Sequence, residues 1–595
     1  MPIETIELVK LIGGIFALII PGYLWSYLFS ENIEPLERFV FGFLLGLGVL
    51  CFGPFMLDVV FGLPITQNKI LVLLATYTIP IIIMYIVSIS KYGLAKPNLN
   101  YFKNPKFILL ILILAFSVFM ISLPHWSDHY FLPFHVDEWI HWSYSKSVIE
   151  SGSSSFINPY TGGGVVQSLE LGFHFIIASI NWFTGSNFVT VFVFMPSIIA
   201  VFVGLTAFNI GERAERKFGL EAAFLVSFIP TTCRFLGPSF FVPVALGLLF
   251  IAFLIWLGAL RKLSAALLIP FFIWCTFLIH PPTALAALII IFSYALLLIL
   301  EKEYKLTIIT IVLSLIPIAM LFLLATRWDY SLQQVIDAFF GGKQFLRYHL
   351  PKIWTSFDHL GVVTWILCIV GAYFAFSRGK VIQRTMTISA IVIIMFIGLY
   401  DKLNYGLPIF YERGFLFLFL LVAMVAGYGL SEIRKIVKIN SGKIIPKPSI
   451  RIPKNIGITV PIFVCILLMT TAVPAHLDIP YYQMIDEEEY RTFTWIQENI
   501  DKYRDENHRY DRAAVNPFFA SPFSAVTRLY ILTSSMHPLH SYSLYPEMKK
   551  FLNNQCVNTS FLDKYEISVV YGKCNNDNLT KIHPNVYLYP GLYAT

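Results

Sequence analysis

The sequence predicts a polytopic all-α membrane protein with a small α/β domain at its C-terminal end. Three observations carry that prediction. The 595 residues are 57% hydrophobic and only 13% charged, whereas soluble globular chains carry about a quarter charged residues. Apolar runs of about 20 residues recur as far as about residue 474, each long enough to cross a hydrocarbon core as a helix. From about residue 475 the composition becomes that of a soluble domain. The formal net charge of +7 is carried largely by short loops between apolar runs. That placement suits membrane topology and argues against a nucleic-acid partner.

In chain order the apolar runs predict about fourteen transmembrane helices. They lie at 8–29, 36–62, 69–90, 107–124, 188–209, 220–236, 240–260, 264–280, 283–300, 306–325, 362–378, 384–400, 412–430 and 457–474. The first run lacks a small-x-small cleavage pattern and is followed at once by further spans, so it is expected to remain as a helix. Loop 91–106 carries Lys91, Lys96, Lys103 and Lys106 without an acid, which assigns it to the cytoplasm. Alternate threading then brings Arg213/Arg216/Lys217, Arg261/Lys262, Lys302/Lys305 and Arg378/Lys380/Arg384 to that side. Linker 431–455 joins them, with seven basic residues against one acid. The acidic loop 30–38 dissents.

The outer side receives loop 125–187, turns near 234–239 and 280–282, loops 326–361 and 401–412, and the tail. Loop 125–187 holds five acids (Asp128, Asp137, Glu138, Glu150, Glu170) and one lysine, Lys146. Its apolar stretch Phe173 to Phe183 is short for a span and is expected to lie along the interface. Between the two halves of the loop, Ser151–Ser155 and Asn158–Gly164 are turn-rich.

In the tail, Asp486 to Lys502 reads as an amphipathic helix with Tyr490, Phe493, Ile496 and Ile500 on one stripe. Strands are expected at Leu529–Leu532, Ile567–Tyr571 and Val586–Tyr589. Asn558-Thr559-Ser560 and Asn578-Leu579-Thr580 match the N-glycosylation acceptor pattern, which agrees with an extracytoplasmic domain at 475–595. Cys556 and Cys574 are expected to form a disulfide in an oxidising compartment. The other five cysteines fall in or beside apolar runs, as packing residues.

The stretch His135-Val136-Asp137-Glu138-Trp139-Ile140-His141-Trp142 stands out in the outer loop. Adjacent carboxylates at a membrane surface repel each other and resist desolvation, so they require a cationic partner or a chemical task. The order that follows is His141, a helix-like run to Gly152, Asn158-Pro159, a glycine cluster, then Glu170-Leu171-Gly172-Phe173-His174. This order resembles the first outer loop of the GT-C superfamily of polyprenyl-phosphate-sugar-dependent glycosyltransferases. The likeness is to its protein O-mannosyltransferase and lipid A aminoarabinose transferase branches, although Glu170–His174 stands where those carry a Pro-Pro-Leu type of sequence. It covers about residues 107 to 430. Residues 1–106 then form an accessory N-terminal transmembrane bundle with its basic cytoplasmic loop, and 107–474 a GT-C-like catalytic module.

The resemblance implies an inverting transferase that moves a sugar from a polyprenyl (dolichyl-type) phosphate to an acceptor hydroxyl on the outer face of the plasma membrane. Asp137 would be the base or its orienting carboxylate, and Glu138 a supporting or metal-facing carboxylate. Carboxylates with His135 and His141 could hold a divalent metal, Mg or Mn, though the spacing matches no closed zinc pattern. Arg413, in Tyr411-Glu412-Arg413-Gly414, would face the lipid phosphate, for which a guanidinium fork is suited; an ion pair with Glu412 is the structural alternative. Glu170, His174, Arg234, His280, Lys343 and Arg347 complete the expected substrate-binding set. For Lys343 and Arg347 an interfacial anchoring role is the alternative, and Pro281 and Pro282 after His280 suit a first helical turn. The string Arg327–Ser331 resembles the Trp-Trp-Asp-Tyr-Gly signature of oligosaccharyltransferases but lies mid-chain, and is read as coincidence. Expected partners are the lipid-linked donor, a protein, lipid or glycan acceptor, and membrane lipids. A lipid-linked saccharide transporter or flippase, which would place ionisable groups deep within spans, and an oligosaccharyltransferase-like enzyme are the rival readings.

Overall fold

The structure, a computed structural model, describes residues 5–29, 32–92, 104–168, 170–232, 235–327, 333, 355–403, 408–440, 456–477, 483–504, 509–534 and 544–593. The chain opens with α1 (Thr5–Phe29), α2 (Pro35–Phe55) running into a π-helical turn (Met56–Val60), α3 (Gln67–Tyr92) and α4 (Pro105–Ser127). The outer loop supplies α5 (Val136–Ser151), a hairpin of β1 (Ser155–Ile157) and β2 (Val165–Gln167), and α6 (Leu171–Thr184). The bundle continues with α7 (Phe188–Arg213), α8 (Gly219–Val226), α9 (Pro243–Leu260), α10 (Leu263–Ile279), α11 (Pro281–Leu300) and α12 (Tyr304–Arg327). It closes with α13 (Thr355–Leu360), α14 (Val362–Arg378), α15 (Val381–Leu403), α16 (Pro408–Asn440) and α17 (Ile456–Leu477).

Among the described residues nine helices are long and apolar enough to cross a membrane, and five shorter apolar helices accompany them. The predicted span 220–236 is not a helix of that length. It stops at Val226, and the described residues between there and α9 are not helical, because Pro230 and Gly237-Pro238 interrupt the hydrogen-bond ladder. Non-helical backbone is tolerated at such depth where protein buries it, and Thr231 and Ser239 bond to each other there at 3.1 Å.

A second expectation also changes. Helix α6 does not lie along an interface: Leu171 to Ile180 are all buried, against α1, α2, α3 and α10. A helix that is apolar on every face gains by insertion into the bundle, whereas an interfacial helix needs a polar face. Gly172 permits this, since a Cβ there would lie 2.5 Å from Cys51 Sγ and 2.8 Å from Leu278 Cβ. The deepest part of the core is α16, whose residues Phe415 to Ala426 are at most 1% exposed, flanked by α8, α14 and α15.

One end of the bundle is tied by ion pairs from the loops assigned to the cytoplasm. They join Lys106 to Glu212 (2.5 Å), Arg216 to Glu432 (2.5 Å), Arg261 to Glu301 (2.7 Å) and Arg434 to Glu221 (2.8 Å). Glu37 of the dissenting acidic loop belongs here too. It accepts from Arg213 Nε at 2.6 Å and Nη2 at 2.5 Å, and from Trp256 Nε1 at 3.0 Å.

At the opposite end sits the tail domain. It comprises α18 (Glu487–Asn499), β3 (Arg512–Ala514), α19 (Ala520–Thr527), β4 (Tyr530–Ile531), α20 (Tyr545–Asn553), α21 (Thr559–Lys564), β5 (Val569–Tyr571), β6 (Thr580–His583) and β7 (Val586–Leu588). The sheet order is β4-β3-β5-β7-β6, with β3 parallel to β4 and β5 and β7 antiparallel to β5 and β6. Cys556 and Cys574 are joined by a disulfide. The domain docks on the outer loop. Ile531 N donates to Tyr160 O (2.6 Å), Ser524 Oγ to Pro159 O (2.9 Å) and Arg528 to Ser147 Oγ (3.1 Å), and Arg528 also pairs with Glu150.

Candidate active site

The first turn of α5 positions the acid pair. His135 is its N-cap, and its Nδ1 accepts from Asp137 N at 3.1 Å. Glu138 reaches back with Oε2 to accept from His135 N (3.0 Å) and Phe134 N (2.9 Å), a capping box. Its other oxygen accepts from Phe241 N at 2.9 Å, in the irregular segment before α9. Glu138 is thus 2% exposed and both of its oxygens are engaged by backbone donors. Burial raises its pKa to about 7, against the lowering effect of those three bonds. This carboxylate binds the outer loop to the bundle.

Asp137, one residue earlier, points elsewhere. Its Oδ2 lies 3.8 Å from Arg413 Nη2 and 3.8 Å from His135 Nδ1. Arg413 comes from the second turn of α16, so residues far apart in the sequence meet at the outer end of the bundle. Glu170 occupies the N-cap of α6 without capping it, which leaves its carboxylate free to face His141 Nε2 at 3.8 Å and His280 Nε2 at 3.9 Å. Burial, then the charge of Asp137, raises its pKa to about 8, with Arg413 opposing. Behind it, His141 Nδ1 and His174 Nε2 share a hydrogen bond of 3.0 Å, and His280 Nδ1 bonds Thr283 Oγ1 at 2.8 Å. Burial and the surrounding imidazoles and guanidinium push the His141 pKa well down, so this ring is neutral.

His135, Asp137, His141, Glu170, His174, His280 and Arg413 therefore gather in one cluster. Arg234, Lys343 and Arg347, together with most of the string Arg327–Ser331, lie outside the described residues. Two participants were not anticipated. Thr283 is the polar partner of His280. Phe241 takes part through its backbone N–H, a role for which a side-chain pattern gives no signal. Among the described residues no group of three or more His, Cys, Asp or Glu is arranged to hold a metal ion. A cavity of about 630 Å³ opens between loop and tail domain, lined by Tyr130, Phe131, Asp486, Glu489 and Phe519 among others and by none of the clustered residues.

No protein-family model and no curated protein sequence matches the chain. Its structure does match solved ones. The oligosaccharyltransferase of Archaeoglobus fulgidus in the apo form is similar at 13% identity over 78% of this chain and 69% of that one, with a TM-score of 0.53. The archaeal oligosaccharyltransferase AglB of the same organism, in complex with an inhibitory peptide and a dolichol-phosphate, is similar at 14% identity over 79% and 69%, also with a TM-score of 0.53. ArnT from Cupriavidus metallidurans in the apo state is matched at 12% identity over 78% and 93%, with a TM-score of 0.46, too low to carry an argument. At such identities the likeness is one of fold alone.

Proposed function

We propose that this chain is an inverting glycosyltransferase of the GT-C superfamily that moves a sugar from a polyprenyl (dolichyl-type) phosphate to an acceptor hydroxyl on the outer membrane face. The observation that supports it most directly is the pairing of Asp137 with Arg413 at 3.8 Å beside Glu170. A carboxylate next to a guanidinium supplies both halves of the chemistry. Asp137 takes the proton from the acceptor hydroxyl as its oxygen bonds to the anomeric carbon, and the sugar–phosphate bond breaks on the opposite face. Arg413 offers its fork to the departing phosphate oxygens, where negative charge grows. The donor phosphate competes with Asp137 for that fork, so donor binding releases the carboxylate to act as base. Glu138 acts as a positioning residue through its three backbone bonds.

The tail domain, on the extracytoplasmic side in this reading, and the cavity it shares with the loop would receive the acceptor. The fold likeness to an oligosaccharyltransferase favours one second reading, in which a whole glycan passes to a protein acceptor. Purified protein supplied with polyprenyl-phosphate monosaccharides, or with lipid-linked oligosaccharide and a sequon peptide, separates the two. Asp137→Asn is expected to lower transfer by on the order of 100-fold or more, and Glu138→Gln to lower it through loss of loop position. If both variants transfer like wild type, the loop is not the catalytic centre.

A further inference from the structure

The three helices that precede the catalytic module have no place in the chemistry above, yet they touch the outer loop at its middle and at its far end. Where α5 stops, Gly152 O accepts from Ile65 N at 2.6 Å, and Gly152 sits at φ +65° with Ile65 O 2.9 Å from where a Cβ would stand. Two residues later Ser154 N donates to Asp58 Oδ2 at 2.7 Å. Asp58 belongs to the π-helical turn Met56–Val60 at the end of α2, and single π-turns of this kind recur at functional sites. Where α6 stops, Gln67 Nε2 donates to Trp182 O at 2.9 Å. Beyond it, Asn187 N donates to Glu7 Oε2 at 2.7 Å and Ser186 Oγ to Glu7 O at 3.1 Å. Between these anchored ends lie Glu170 and His174, with Gly172 pressed against Cys51 of α2.

We infer that α1–α3 form a brace for the active site, with Asp58 as a positioning residue that fixes the exit of α5 and thereby the spacing of Glu170 from Asp137. The anchored ends, together with the tail-domain contacts at Pro159 and Tyr160, guide where segment 152–187 runs. This matters because misplacement of reacting groups by about 1 Å costs on the order of 100-fold in rate. Arg413 stands on α16, outside the braced segment, so phosphate binding is independent of the brace.

The activity arm of the test rests on the transferase reading; a second arm does not. Full-length Asp58→Ala is expected to lower kcat about 10- to 100-fold, with the donor KM changed by less than about threefold. Asp58→Asn keeps an acceptor oxygen for Ser154 N and restores most of the rate. Hydrogen–deuterium exchange in residues 152–168 should rise in Asp58→Ala and return in Asp58→Asn, while the rest of the bundle exchanges as before. Unchanged exchange in that segment overturns the brace whatever the activity. Exchange that rises across the whole chain, or a kcat equal to wild type in an active enzyme, overturns it equally. If wild type consumes no lipid-linked sugar while local exchange behaves as expected, the transferase reading fails and the brace stands.

Discussion

Three carboxylates within one cluster have been given three environments. Asp137 stands beside Arg413, Glu138 is engaged by backbone donors, and Glu170 faces neutral imidazole in a buried setting. Separation of environment is how adjacent acids acquire separate tasks. Glu170, with its pKa raised to about 8 from a usual 4.5, holds a proton in the folded state over a range where the unfolded chain has released it. The stability it brings is therefore complete below about pH 4.5, declines as pH rises, and is gone above about pH 8. Glu138 acts in the same direction up to about pH 7. Thermal unfolding of detergent-solubilised protein between pH 5 and 8.5 should show the midpoint falling with pH, and Glu170→Gln should flatten that slope. An equally steep slope in the variant would remove Glu170 as its source.

At the scale of elements, the sequence was readable wherever an apolar run of span length stood alone. Helices α1–α4, α7, α9, α11, α15 and α16 all fall on predicted spans. It was less readable at 220–236, because proline and glycine are common in transmembrane helices and their presence alone does not mark a break. Burial of α6 was hidden for a different reason: a 14-residue apolar segment is ambiguous until its neighbours are known. The acid pair and its histidines could be singled out from spacing, but their convergence with Arg413 could not, since it depends on how α16 returns to α5. Gly172 is where this packing is most exposed to test. An added methyl would stand 2.5 Å from Cys51 Sγ and 2.8 Å from Leu278 Cβ, so Gly172→Ala should cost about 1–3 kcal/mol of stability. A melting midpoint equal to wild type would mean that α6 is packed less tightly.

At the scale of the molecule, the two ends differ in how they are held. One is fastened by ion pairs such as Arg213–Glu37 and Arg216–Glu432. The other is assembled from the outer loop, α16 and the tail domain, and its seam depends on Arg528. That guanidinium reaches Glu150, Ser147 Oγ at 3.1 Å and Ser143 O at 3.5 Å. Arg528→Ala should leave the helical bundle folded while amide exchange at Ile531 rises, because its bond to Tyr160 O is the next contact along the seam. Protection of Ile531 at the wild-type level would show that the seam is held without Arg528.

The Arg528–Glu150 contact joins residues 378 positions apart, and that distance is also a delay. At about 5–20 residues per second, a ribosome needs roughly 20 to 80 seconds to pass from one partner to the other. Throughout that interval the flank of α5 that the tail domain will cover lies open, with Tyr160 O waiting for its donor. Helices α1–α3 have already left the ribosome by then, and they grip the same loop from its other side. Order of synthesis thus hands the unfinished site to the brace first and to its cover last.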